Sequence, residues 1–230
     1  MPALATSPLP SYNASNNISY RRMANIKNLD PKYLLKGINP QHALPTFDDD
    51  GNINMLVEIP KGSYNKYEYV TEANIIKFDR VLFEMLPYPV EYGLIPQTYD
   101  EDNDLLDIMS LITYPTFPGC LIAVRPIGVM YMIDGGDVDD KIFAVPVEDV
   151  RFAHIRSIKD LPSITVDEIQ FFWEHYKGLQ FRYKGHTEKK VVVDRWGDEK
   201  EAREVIEKCQ AAYKLKYGQD KSRIETVMAS

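Results

Sequence analysis

Acids gather at two places in this sequence, and their spacing suits hard divalent cations. Asp102, Asp104 and Asp107 stand in the run Asp-Asn-Asp-Leu-Leu-Asp, directly before an apolar segment. Asp134 and Asp139 belong to Ile-Asp-Gly-Gly-Asp-Val-Asp-Asp-Lys, which reads as a loop between two strands. Glu58 and Glu68 lie on earlier strand-like segments. In an extended chain Asp102 and Asp104 point to one side and Asp107 to the other, so a turn is needed to gather all three. Converging carboxylates repel one another and take up protons unless cations intervene. Mg²⁺ prefers oxygen ligands and keeps several waters, so a few carboxylates plus a substrate phosphate suit it. Two such ions ~3.5–4 Å apart activate a water and clamp an in-line displacement. A solvated acidic turn without function is the bland alternative. An EF-hand fails, because counting from Asp100 puts Leu105 where glycine is needed and Leu111 where a bidentate glutamate is needed.

Basic and phenolic residues are interleaved with these acids. Lys66, Arg80, Tyr88, Tyr92, Lys141, Tyr176 and Lys177 each sit beside a strand or helix end. Singly, each has an ordinary explanation as a surface or packing residue. Tyr88 between two prolines can be a packed turn, and Tyr176 continues an apolar helix stripe. Together with the acids they are what a polyanionic phosphate requires. No Walker A loop, G-x-G-x-x-G, H-E-x-x-H or G-x-S-x-G motif is present. The histidines, His42, His154, His175 and His186, are scattered.

The elements that must position these groups are short. Segments 55–59, 67–70, 75–78, 106–112, 120–125, 129–133 and 142–147 are apolar runs bounded by proline and glycine, with 67–70 and 75–78 forming a hairpin. Two helices follow. Thr165 with Glu168 reads as a capping box, Ile169, Phe172, Trp173 and Tyr176 recur at helical spacing, and Gly178 reads as a stop. The second helix starts near Asp198, with Ala202, Val205, Ile206, Cys209 and Tyr213 as its buried stripe and Gly218 at its end. This pattern predicts a mainly β, α+β fold: an antiparallel OB-like barrel with two helices packed on it.

The chain of 230 residues, 44% apolar, can bury one core. We divide it into an N-terminal extension, 1–53, a folded domain, 54–218, and a polar tail, 219–230. No run approaches the length of a membrane span. A net charge of −7 argues against coating nucleic acid. Cys120 and Cys209 are too far apart in the chain to suggest a disulfide framework or a zinc site, so a reducing, cytoplasmic location is the expectation. The alternative is an organelle, because the N-terminus is free of acids until Asp30, carries Ser7, Ser11, Ser15 and Ser19, and has Arg21 and Arg22, in the manner of a transit peptide. A disordered tail is the plainer explanation of that composition and is preferred to the transit peptide.

Several stretches together resemble the soluble inorganic pyrophosphatases of the first family, the OB-like barrel class. They are Val57-Glu58-Ile59-Pro60, Lys66-Tyr67-Glu68, Asp79-Arg80, Tyr88-Pro89-Val90-Glu91-Tyr92-Gly93, the aspartate run 102–107, Arg125-Pro126-Ile127-Gly128, residues 134–141, and Phe171-Phe172-Trp173-Glu174-His175-Tyr176-Lys177. They follow in the family's order from about residue 55 to 177. The resemblance implies hydrolysis of pyrophosphate with Mg²⁺. Asp102, Asp107 and Asp139 would bind the activating metals, and Asp104 would accept the proton of the attacking water. Asp134, Glu58 and Glu68 would serve further magnesium ions. Lys66, Arg80, Tyr92, Lys141, Tyr176 and Lys177, with Tyr88, would hold phosphate oxygens. It also implies a homo-oligomer, with no nucleic-acid or membrane partner. The sequence departs from the family pattern at Asn103 and Leu105, where glycine and proline are usual. Asparagine tolerates a left-handed backbone, whereas leucine gives up proline's fixed φ. Two other readings compete. One is a catalytically silent relative retained as a scaffold or phosphate sensor. The other is an OB-type single-strand binder using the chain's 15 tyrosines for stacking.

Overall fold

The computed structural model describes residues 39–70, 73–101, 104–185 and 191–217. The expectations for Asp102, Asn103, residues 1–38, Gly218 and the tail to 230 fall outside the described residues. The strands are β1 (Ile53–Ile59), β2 (Asn65–Val70), β3 (Ile75–Val81), β4 (Glu91–Leu94), β5 (Asp107–Ser110), β6 (Leu121–Asp134), β7 (Asp137–Val138), β8 (Lys141–Pro146) and β9 (Val191–Asp198). The helices are α1 (Pro40–Ala43), α2 (Ser163–His175), α3 (Gly178–Lys184) and α4 (Glu199–Tyr217).

Pairing runs β1-β4-β5-β8-β6, and β6 returns to β1, which closes a barrel and leaves none of these strands with a free edge over the paired residues. Each joint of the ring is antiparallel except β5–β8, which is parallel and sets Asp107 directly opposite Lys141. β6 is long enough to serve two partners along one side: it pairs β1 at Ile53↔Val124 and β9 from Gly128 onward. The hairpin β2–β3 forms a separate two-stranded sheet that carries Lys66 opposite Arg80.

The sequence divides 120–133 at Pro126, yet the structure runs one strand through it. The register against β8 slips between Pro126 and Gly128, and a bulge is where a strand tolerates a residue without an N–H. Gly93 is needed for close approach. A Cβ there would lie 2.0 Å from the Leu56 carbonyl oxygen, so only glycine lets β4 lie this tightly on β1. Tyr92, the preceding residue, is thereby set opposite Ile59 of β1 and Met109 of β5.

Two apolar clusters fill the molecule. One contains Ile53, Met55, Val57, Ile108, Val129 and Ile142 of the barrel with Ala202, Ile206 and Cys209 of α4. The other joins Tyr88, Tyr92, Met109, Phe143 and Val193 to Ile169, Phe172 and Trp173 of α2 and to Tyr176, its C-cap. The predicted stripes of both helices are therefore their packed faces. Two local expectations change. α2 begins at Ser163, and the Thr165 amide bonds to the Pro162 carbonyl, so Thr165 lies inside the first turn and is not the cap. Gly178 opens the short helix α3, and Gly185, at φ +68°, ends it. A reciprocal cap is found at α4, where Asp198 Oδ1 accepts from the Lys200 and Glu201 amides and Glu201 Oε2 accepts from the Asp198 amide.

Candidate active site

Strand register decides which charged groups meet. Asp107 at the start of β5 and Lys141 at the start of β8 are partners across the parallel joint. Lys141 Nζ donates to Asp107 Oδ2 at 2.7 Å and to Asp139 Oδ1 at 2.7 Å. The Tyr92 hydroxyl also donates to Asp107 Oδ2. Only 1% of Lys141 is exposed, and its ammonium lies 4.7 Å from the centre of the Trp173 ring. Trp173 is fixed in turn by its indole N–H, which donates to Met109 Sδ. The floor of the site is thus a buried cation between two carboxylates, an aromatic ring and a phenol.

Its electrostatics follow from that burial. Burial works against the charge on Lys141, but Asp107 and Asp139 outweigh it and hold the ammonium protonated above its usual range. Asp107 is pushed upward by burial, with Asp139 adding to the shift and Lys141 opposing it. Burial drives Tyr92 and Tyr176 well above the phenolic range, so both remain donors.

The walls come from other elements. Glu58 on β1 is buried, and its Oε1 accepts from the Tyr69 amide at 2.5 Å. Burial pushes its carboxyl up to about 8, the Tyr69 amide opposing this, and Asp107 and Asp104 contributing further repulsion. On the hairpin, Lys66 Nζ bonds Glu68 Oε1 at 2.6 Å and stands 3.8 Å from Asp79, which also pairs with Arg80. Lys177, just beyond α2, pairs with Asp134 at the end of β6. Tyr88 is 1% exposed, packs on Tyr92 and Phe172, and has a buried hydroxyl with no hydrogen-bond partner among the described residues. Arg80, Glu58 and Asp107 all act electrostatically on that hydroxyl, and Tyr176 lies within reach of Tyr88, Asp134, Asp139 and Arg80. These two phenols link the two walls.

Of the residues singled out in the sequence, Asp107, Asp139, Lys141 and Tyr92 meet in direct contact. Asp134 with Lys177 and Glu68 with Lys66 form separate pairs beside them. Asp104 lies on the exposed loop before β5, where its Oδ1 accepts from the Leu105 amide at 2.8 Å. Asp102 is outside the described residues. Sequence reasoning passed over two participants. Asp79 bridges Lys66 and Arg80, and its signal was its place beside Arg80 on a strand paired with Lys66. Trp173 backs Lys141, but at helical spacing it reads as core alone. Among the described residues no group of three or more His, Cys, Asp or Glu forms a protein-only metal cage. The carboxylates Glu68, Asp107, Asp134 and Asp139 instead pair with lysines.

The charge on Glu58 makes a testable prediction. Its folded pKa is raised above the ordinary 4.5, so its contribution to stability is complete below about 4.5 and is lost as pH rises to about 8. Metal-free protein should lose a few kcal/mol across that window, at about 1.4 kcal/mol per pKa unit. Glu58→Gln should flatten the slope in urea melts at stepped pH. An unchanged slope would remove Glu58 as its source.

Known proteins resemble this chain in sequence and in fold. The family model described as inorganic pyrophosphatase covers residues 55–214. An inorganic pyrophosphatase of Synechocystis is 44% identical over 172 residues, 74% of this chain and 97% of that protein. One from Sulfolobus acidocaldarius is 45% identical over 157 residues, 67% of this chain and 87% of that protein. The crystal structure of inorganic pyrophosphatase from Thermus thermophilus superposes with a TM-score of 0.72 at 43% identity, covering 77% of this chain and 99% of that one.

Proposed function

We propose a mechanism on the premise that this chain belongs to the inorganic pyrophosphatase family and hydrolyses pyrophosphate to two orthophosphates. The observation that carries the assignment of the site is the buried Lys141 held between Asp107 and Asp139, with Tyr92 on the same carboxylate.

The family implies a divalent metal requirement, and the donor set of this site fits one. Its acids offer only hard oxygen ligands. Burial and mutual repulsion push Asp107 and Glu58 toward protonation, which a divalent cation relieves. An opening with few carboxylates suits Mg²⁺, which retains waters of its own. In our reading Asp102, Asp107 and Asp139 hold the activating Mg²⁺ ions, and Asp134, Glu58 and Glu68 serve those that come with the substrate. When bound, the ions polarise phosphoryl oxygens and make water nucleophilic near neutral pH.

The protein's own groups do the remainder. Phosphoryl transfer is chiefly positioning and stabilisation of charge on oxygens. Lys66, Arg80, Lys141 and Lys177 supply fixed positive charge, with Arg80 and Lys141 facing the transferred and leaving phosphates. Tyr88, Tyr92 and Tyr176, kept protonated by burial, donate hydrogen bonds to phosphate oxygens. The Tyr88 hydroxyl and Arg80 Nε are buried donors without an acceptor among the described residues, as a phosphate-binding wall would supply. Asp104, exposed on its loop, takes the proton from the attacking water. The packed rings of Trp173, Phe172 and Tyr176 keep bulk solvent from the floor.

The same proposal takes residues 54–218 as the catalytic domain, 1–53 as an extension and 219–230 as a polar tail. It places the protein in the cytoplasm, which the free thiols of Cys120 and Cys209 support. Among the described residues no helix is long and apolar enough to cross a membrane. It assigns a homo-oligomer, supported by exposed Phe78, Val81, Phe83 and Met85 along and after β3, and neither nucleic-acid nor membrane partners. The test of function is phosphate release from pyrophosphate before and after chelation. Turnover should vanish with the metal and return with Mg²⁺. Bound Mg²⁺ without turnover would favour the silent scaffold.

A further inference from the structure

The loop that carries the catalytic acids is held from behind by helix α4. The Tyr99 amide donates to the Cys209 carbonyl at 3.0 Å. Lys208 Nζ reaches Glu101 at 2.6 Å, and the Cys209 thiol reaches Asp100 Oδ1 at 3.6 Å. Lys216 stands 3.5 Å from the centre of the Tyr99 ring. The same loop closes on itself where the Asp100 amide donates to the Asp104 carbonyl at 2.8 Å. Leu105 then turns inward and is 4% exposed.

These contacts matter because of the residues at 103 and 105. Leu105 lacks the fixed φ by which a proline would stiffen a loop. Here burial of Leu105 and the grip of α4 take over that task. The ion pair Lys208–Glu101 is mostly solvent-exposed and so contributes little. Cys209 differs, being 1% exposed and locked in the core cluster beneath the barrel.

We infer that Cys209 is a positioning residue for the metal-binding loop: its thiol donates to Asp100, and the bond from the Asp100 amide to the Asp104 carbonyl passes that restraint to Asp104 and to the buried Leu105 that leads into Asp107. Burial, and then Asp100, push the thiol up to about 12, so it is protonated and able to donate. The inference rests on the proposed metal role of that loop.

The test uses the full-length chain and two readouts that need no turnover: Mn²⁺ binding followed by electron paramagnetic resonance, and amide hydrogen exchange at Asp100, Leu105 and Leu106. Cys209→Val keeps an apolar side chain of similar volume and removes the donor. It should weaken Mn²⁺ binding about fivefold, the scale of one ordinary hydrogen bond, and speed exchange in the loop. Cys209→Ser, which restores a donor, should return both toward wild type. Asp100→Ala removes the acceptor from the surface side, which keeps the test available should the core variant fold poorly. Asp100→Ala should weaken Mn²⁺ binding to a similar degree, and adding Cys209→Val to it should change little further. Wild-type affinity and exchange in either single variant, or fully additive losses in the pair, would overturn the inference. A wild-type chain that binds Mn²⁺ yet releases no phosphate would instead count against the hydrolytic reading alone.

Discussion

Asp107→Asn should lower phosphate release by about 10²–10³-fold or more while leaving the protein folded, because it removes charge but almost no volume. The carboxylate it replaces accepts from both Tyr92 and Lys141 and faces Glu58 and Asp139 nearby. Removing one negative charge from that group relieves repulsion, and Lys141 retains Asp139 as a partner. Metal-free Asp107→Asn should therefore melt no lower than about 1 kcal/mol beneath wild type, within the usual effect of a single hydrogen bond. Steady-state rates at saturating Mg²⁺, alongside urea melts without metal, check both halves. A variant within tenfold of the wild-type rate would exclude Asp107 from the metal set.

Lys141→Met should damage stability and activity together. Methionine fills the stem's place against Trp173 and supplies no charge. Two carboxylates then remain at a site where the lysine was 1% exposed. Breaking a buried ion pair from one side costs about 3–5 kcal/mol, because the partner is left uncompensated. Loss of a preorganised cation from a phosphoryl-transfer site costs on the order of 10²–10³ in rate. Mg²⁺ should raise the melting temperature of Lys141→Met by more than that of wild type, since Asp107 and Asp139 have lost their only buried ammonium among the described contacts. Equal metal-free stability of variant and wild type would mean that Lys141 is not the floor of the site.

These two residues also mark how far the sequence could be read. Asp107, Lys141, Asp139 and Tyr92 are legible as candidates only in combination, because each alone has an ordinary surface or packing explanation, whereas acids, bases and phenols interleaved at strand ends suit a metal-bound polyanion. Their contact was not legible. It depends on the parallel joint β5–β8, which sets Asp107 against Lys141 across 34 residues of chain, and an all-antiparallel barrel would have a different register. Strand breaks were misread where local propensity yields to pairing. Pro126 ends a strand by its chemistry, yet a bulge carries β6 past it. β9, beginning Val191-Val192-Val193, has strand-forming residues but gains its place only by pairing with the far half of β6. The helix stripes were read correctly because burial on one face repeats every three to four residues. Trp173 shows the limit of that rule. Periodicity gives it a packed face but does not reveal that the same ring backs Lys141.

The departure at Asn103 and Leu105 takes a different meaning once Leu105 is seen buried. Leucine at 105 leaves φ free where a proline would fix it, and its burial anchors this end of the loop by packing. That view supports an active enzyme and directs attention to the one group proposed to move a proton. The most direct measurement is phosphate release from pyrophosphate at saturating Mg²⁺ by wild type and Asp104→Asn side by side, with Mn²⁺ binding recorded for both. The account predicts metal-dependent turnover in wild type and a loss of at least about 10²-fold in the variant, with metal binding retained. Equal rates in the two proteins would contradict the assigned base, and no turnover in metal-loaded wild type would contradict the account as a whole.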